Sequence, residues 1–409
     1  MKDRSPQLET LVVYRNLLQD DAVQGLQLIL NGKGSPDIVH QLLGSLIDKA
    51  ERLGLQGNLV RQYLCYLVAR DENVFSLACE KTNGHPGAGL LAAAVHDLTV
   101  LEAVLDYDLS ALFDTALITA YTPTVAAPGP VSYERLFTTA PVETAARLAI
   151  HYARNGCGYM AGFAAFRWDG EQGLVGIRNF DPIRLEDLVG YERQKNVLIN
   201  NTRALLAGKP ANNALLHGSR GTGKSSSVKA LVNQYFDEGL RLVEVSKQDL
   251  KDLAKIMDLL RGHGQKFLIF LDDLSFEDFE VEYKYLKSAI EGGVEIRPAN
   301  VLIYATSNRR HLIKENWSDR GGDPDEIHRF DTVNEKISLS DRFGISLFYE
   351  TPNQTEYLSI VNELAQKHQF SLPQEALRQE ALRWESTHNG RSGRTAQQFI
   401  NHLLSMDAE

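Results

Sequence analysis

Apolar residues recur at helical spacing through the first third of the chain. Ile38, Val39, Leu42, Leu43, Leu46 and Ile47 make one stripe, and Gly54 follows as a stop. Leu59, Val60, Tyr63, Leu64 and Leu67 make another. Residues 1–155 therefore read as mainly helical, without a fixed-period repeat, and 123–130 (PTVAAPGP) as a loop. The period changes after Cys157. Segments 162–168 (GFAAFRW) and 173–177 (GLVGI) are strand-like around the turn Asp169-Gly170, which predicts a short hairpin linker over 156–180. From Asp181 short apolar runs at 213–217, 241–245, 267–271 and 301–305 alternate with helical segments. That alternation predicts a parallel sheet covered on both faces. Helical spacing returns at 354–368, 373–387 and 395–406. The expected organisation is a helical N-terminal domain for a partner or adaptor at 1–155, the linker, an α/β core at 181–350 and a helical lid at 351–409.

Composition narrows the class. A chain of 409 residues suits about two to three domains. Its hydrophobic fraction of 43% and charged fraction of 23% are ordinary for a soluble globular protein. The most apolar stretch, 87–105, is interrupted by His96, Asp97 and Glu102, so no transmembrane helix is expected. The N-terminus (MKDRSPQLET) lacks the apolar core of a signal peptide. Cys65, Cys79 and Cys157 have no metal-ligand spacing and are expected as free thiols in a reducing cytoplasm. A net charge of −10 argues against broad nucleic-acid binding but leaves room for a local basic track.

The chemistry centres on Gly218-Ser219-Arg220-Gly221-Thr222-Gly223-Lys224-Ser225, which fits the phosphate-loop pattern G-x-x-x-x-G-K-[ST]. The glycines let backbone N–H groups turn toward a polyphosphate. Lys224 brings a point charge to the β/γ-phosphates, Ser225 can join a Mg²⁺ shell, and Ser226 begins the following helix. The strand-like 214–217 before it and the helical 226–235 after it are the flanks this loop needs, against a chance glycine-rich turn.

Phe267 to Leu271 is an apolar run ending in Asp272-Asp273. About 50 residues after the loop it reads as Walker B, with Asp272 supporting the metal and a second acid polarising water. The competing reading is a solvated Asp-Asp turn. Val301 to Asn308 is a strand ending in small polar residues, so Asn308 either faces the nucleotide crevice or caps a helix. Arg342 either reaches a neighbouring subunit's γ-phosphate or pairs locally with Asp341. Arg394 opens a late helix, where it either meets the phosphates or is a surface residue.

In order and spacing these motifs resemble AAA+ ATPases over about residues 180–409. In that resemblance Ile183 to Gly190 (IRLEDLVG) enters the fold, and Val189 and Gly190 border adenine. Asn308 becomes sensor 1, Arg342 an arginine finger and Arg394 sensor 2. More narrowly, DDLSFE at 272–277, ATSNRRHL at 305–312 and SGRTA at 392–396 resemble an uncharacterised bacterial AAA+ group known as a domain of unknown function. The resemblance implies an α/β P-loop NTPase core in three layers with a helical lid, ATP and Mg²⁺ as cofactors, and a homo-oligomer forming a ring or partial ring. One departure concerns the end of Walker B, where the family usually has Asp-Glu and this chain has Asp272-Asp273. Water positioning then falls to Asp273 or to Glu277. Segment 246–252 also lacks the aromatic-apolar-glycine trio of polypeptide-threading rings.

The leading expectation is an ATPase that remodels or loads a macromolecular partner. Alternatives are a nucleotide-dependent scaffold with little turnover, and a helicase-loader-like protein using the basic cluster Arg309, Arg310, His311 and Lys314. A small-molecule kinase fits less well, because it needs no sensor and finger series.

Overall fold

The computed structural model describes residues 6–112, 114–124, 133–276, 282–291, 297–309, 342–370, 372–388 and 390–406. The chain divides into two compact units. One is Met1–Gly162 together with His263–Gln265; the other is Phe163–Gly262 with Lys266–Glu409.

The first unit is helical. Its helices are α1 (Asp21–Leu30), α2 (Pro36–Leu53), α3 (Leu59–Arg70), α4 (Val74–Lys81), α5 (Ala88–Leu105), α6 (Ala116–Thr119) and α7 (Pro141–Asn155). Both apolar stripes read from the sequence are helices here. Ser35 caps α2 by accepting from the Ile38 N–H, Pro36 occupies the first turn, and Gly54 ends it at φ 67°. Helix α5 is the stretch whose polar interruptions argue against a membrane span. Its 18 residues have a mean hydropathy of 1.6, long and apolar enough by composition to cross a membrane. That mean already includes His96, Asp97 and Glu102. In this unit Ala94, Leu98, Leu101 and Val104 of α5 are buried in the core. Asp97, fully buried, accepts the backbone N–H groups of Val12, Val13 and Tyr14. A buried carboxylate with that many donors is satisfied rather than stranded.

The short insert His263–Gln265 belongs to this unit. Gln265 is fully buried, and its amide donates to Asn155 O at 2.8 Å. His263 Nδ1 lies 3.2 Å from the buried Glu80 carboxylate, which also accepts the Cys157 N–H at 2.7 Å.

Among the described residues, the second unit is built on a seven-stranded sheet. Its strands are β1 (Ala165–Asp169), β2 (Gly173–Gly176), β3 (Ala214–Gly218), β4 (Leu240–Glu244), β5 (Lys266–Leu271), β6 (Val301–Ser307) and β7 (Ile345–Tyr349). The order is β2-β1-β4-β5-β6-β3-β7. Among the described residues, only the β1–β2 pair of this sheet is antiparallel. Every residue of β3 and β6 is buried, so both faces are covered, as parallel sheets require. Helices α8 (Glu192–Leu206) and α9 (Lys224–Tyr235) cover the face carrying Leu216, Leu242, Leu268, Leu302 and Leu347. Helices α10 (Leu253–Arg261) and α11 (Glu282–Glu291) complete the layers. A lid of α12 (Gln354–Lys367), α13 (Gln374–Thr387) and α14 (Gly393–Met406) closes on its own core of Tyr357, Val361, Ala381, Phe399 and Ile400. This is the α/β P-loop fold with a helical lid that the sequence predicts.

The sheet differs from expectation in two places. The segment read as a linker is a hairpin, but it extends the sheet: β1 runs parallel to β4, with Ala165 opposite Leu242. Strand β7 is not among the runs read from the sequence. Its pattern of half-buried, exposed and buried residues is that of an edge strand rather than a buried apolar run.

Strand β7 also explains the first glycine of the loop. Gly218 has φ +130°, and a Cβ there would sit 2.1 Å from Tyr349 O. Gly218→Ala is expected to destabilise this unit by about 3 kcal/mol or more. Denaturant unfolding measures it, and an unchanged midpoint would contradict the packing.

Candidate functional site

The phosphate loop leaves the carboxyl end of β3, between β6 and the edge strand β7, and runs into α9. Gly221 and Gly223 have φ of 72° and 90°, a left-handed backbone that favours glycine. Lys224, the first residue of α9, is only 6% exposed. Its ammonium donates to Gly218 O at 2.9 Å, Ser219 O at 2.7 Å and Asn308 Oδ1 at 3.1 Å. Burial lowers its pKa, the Asp273 and Asp272 carboxylates pull it back up, and Arg220 and Arg394 push it down again.

The acids come from the end of β5. Asp272 Oδ1 accepts from Ser225 Oγ and from Thr306 Oγ1, both at 2.6 Å. The Asp273 N–H donates to Thr306 Oγ1 at 2.9 Å. Asp273 has φ 48°, a conformation that Asp and Asn tolerate better than other residues with a Cβ. Asn308, just past β6, donates its amide to Asp273 Oδ1 while its carbonyl accepts from Lys224. One amide therefore links the loop lysine to the second Walker B acid.

The lid completes the site. The Arg394 N–H, at the start of α14, donates to Gly221 O at 3.2 Å. A Cβ on Gly221 would lie 2.9 Å from Ser392 Oγ and 3.1 Å from Arg394 Cβ. The absent side chain of Gly221 is what allows the lid to rest on the loop. Gly221→Ala is expected to weaken nucleotide binding about tenfold or more by lifting the lid and straining the loop. Calorimetric titration reads this, and an unchanged affinity would count against the contact.

A cavity of about 630 Å³ lies among these parts. Val189, Arg220, Gly221, Thr222, Gly223, Lys224, Ser225, Ser226, Asp272, Asp273, Asn308 and Arg394 all line it. Gly218 and Ser219 form the floor of the loop and hold Lys224 through their carbonyls. Gly190, at φ 78°, follows Val189 in the turn without lining the cavity. Arg342 is half-buried in the turn before β7 and does not line it either. Glu277 lies outside the described residues, as do Arg310, His311 and Lys314 of the basic cluster.

The cavity also contains residues that sequence reading passed over. Thr306 holds both acids in place, and its position among the small polar residues at the end of β6 was the available signal. Ile360 and Leu364 of α12 line the cavity with Leu188 and Val189, an apolar part suited to a flat aromatic base. Lys195 of α8 lines the same end. Nothing in its spacing distinguishes it from a surface lysine.

A family model described as "Protein of unknown function (DUF815)" matches residues 161–407. The replication factor C large subunit of Staphylothermus marinus is 32% identical over 106 residues, spanning 24% of this chain and 24% of that protein's length. Among solved structures, the Thermotoga maritima RuvB Holliday junction branch migration motor is similar over 54% of this chain and 72% of its own, at 16% identity and a TM-score of 0.33. A structure described under katanin self-assembly is similar over 45% and 59% of the two chains, at 19% identity and a TM-score of 0.31.

Proposed function

The chain belongs to the family described as "Protein of unknown function (DUF815)", and for this AAA+-type P-loop nucleotide-binding protein we propose Mg²⁺-dependent ATP hydrolysis coupled to remodelling of a macromolecular partner. The observation that carries the proposal is the convergence of Lys224, the Ser225–Asp272 pair, Asp273, Asn308 and Arg394 on one cavity. Lys224 and the N–H groups of the loop bind the phosphates. Ser225 Oγ and Asp272 Oδ1, adjacent hard oxygens 2.6 Å apart, suit a magnesium ion that keeps several of its waters. Such an ion would neutralise charge building on the β/γ-phosphates. Asp273 orients the attacking water and takes its proton, and Asn308 positions Asp273. Arg394 meets the γ-phosphate from the lid.

Arg342 does not line the cavity of its own chain, which suits a finger that acts on a neighbouring subunit. The protein is then a homo-oligomer with shared sites. Lys224→Ala and Arg342→Ala chains, each inactive alone, are expected to regain phosphate release when mixed, because some interfaces then pair an intact loop with an intact finger. No recovery would sink the shared site. The helical unit is the proposed partner-binding part, and three buried free thiols suit a cytoplasmic setting.

A second reading has one observation in its favour: Asp273 is already engaged by Asn308. Under that reading nucleotide binding organises a scaffold and turnover is slight. Steady phosphate release that disappears in Lys224→Ala would reject it.

A further inference from the structure

Lys195 is 8% exposed and lines the base end of the cavity beside Leu188 and Val189. Its ammonium donates to Leu188 O at 2.7 Å and pairs with Glu192 Oε1 at 2.6 Å. The helix that carries it is anchored at the same end. Tyr191 Oη donates to Glu350 O at 2.6 Å and Gln194 Nε2 to Phe348 O at 2.8 Å. Lys195 is therefore a fixed donor under the turn, not a mobile surface charge.

The carbonyl it holds belongs to the peptide joining Leu188 to Val189. In a trans peptide the C=O and the N–H point in opposite directions. Fixing Leu188 O toward Lys195 thus fixes the Val189 N–H away from it. Among the described residues that N–H finds no protein acceptor.

We propose that Lys195 is a positioning residue for base selection: by holding Leu188 O it aims the Val189 N–H at the edge of the bound base. This rests on reading the cavity as a nucleotide site. A fixed donor matches a ring nitrogen that accepts, as adenine N1 does. Guanine carries a hydrogen at that position, so donor would face donor and the buried N–H would stay unpaired. Two of the ammonium's three N–H donors are held by Leu188 O and Glu192.

The test compares ATP, GTP and inorganic tripolyphosphate by calorimetric titration. Lys195→Met keeps the length of the buried stem, and Glu192, whose side chain is 72% exposed, stays solvated without its partner. The expected result is about a tenfold loss of ATP affinity, ATP and GTP brought close together, and tripolyphosphate unchanged. Equal weakening of ATP and tripolyphosphate, or an intact preference for ATP, overturns the proposal. Should Lys195→Met fail to fold by thermal melt, Val189→Pro removes the N–H itself, and retained preference there overturns it equally. Failure of the nucleotide reading looks different: the unaltered protein would bind neither ATP nor tripolyphosphate.

Discussion

Lys224→Ala is expected to reduce ATP turnover by about 10²–10³ and to weaken ATP binding with it. The lysine is buried at the foot of the loop, where its charge is worth more than in water. Removing it also leaves Gly218 O, Ser219 O and Asn308 Oδ1 without their donor. Phosphate release and calorimetry measure the two losses. Unchanged affinity would mean that the cavity does not receive phosphate through this residue. A pH dependence accompanies the prediction. Burial holds the Lys224 pKa below the ordinary lysine range, so the ammonium loses its proton earlier as pH rises. ATP affinity is full below that lowered pKa and falls as pH climbs through it. The fall should be absent in Lys224→Ala.

Asp273→Asn is expected to keep ATP binding and lose about 10²–10⁴ in turnover, the range for removal of a general base. Asn tolerates the left-handed backbone at this position and keeps a side-chain oxygen near Asn308, so the fold should be undisturbed. The less obvious half concerns glutamate. Asp273→Glu would make the pair look like the usual family sequence, yet it is expected to lower turnover rather than raise it. A longer side chain on a backbone at φ 48° is strained and overshoots the Asn308 amide. Single-turnover phosphate release on both variants decides the matter. A glutamate variant faster than the unaltered chain would show that Asp273 is a weakened base, and an active asparagine variant would move the role to another acid.

Much of the site was legible because phosphate chemistry fixes residue types at short spacing. The loop from Gly218 to Ser225, the Asp272-Asp273 pair, Asn308 and Arg394 are each recognisable locally, and the fold brings Arg220 to Ser225 and the others to one cavity. The buried strands were legible for a similar reason: β3, β5 and β6 are continuous apolar runs. Legibility failed where the determinant was three-dimensional. Edge strand β7 alternates, so no apolar run announces it. The hairpin at Ala165–Gly176 joins the sheet through a parallel pairing with β4, far along the chain. Lys195 matters only because α8 carries it beneath the base turn. The expected effect of glutamate at position 273 turns on a backbone angle that no residue pattern displays.

The placement of His263–Gln265 has a consequence for taking the molecule apart. Strand β5, which delivers Asp272 and Asp273, starts at Lys266, directly after a tripeptide whose partners Asn155 and Glu80 lie in the helical unit. Neither unit is a continuous stretch of chain, so no single cut between 162 and 163 separates two self-sufficient halves. A fragment starting at 163 would carry Gln265 stripped of its acceptor, and the complementary fragment would keep Glu80 buried without His263. Co-expressed, the two pieces should find each other again. That makes the protein a natural candidate for split-fragment complementation, with ATP turnover as the signal that the pieces have rejoined.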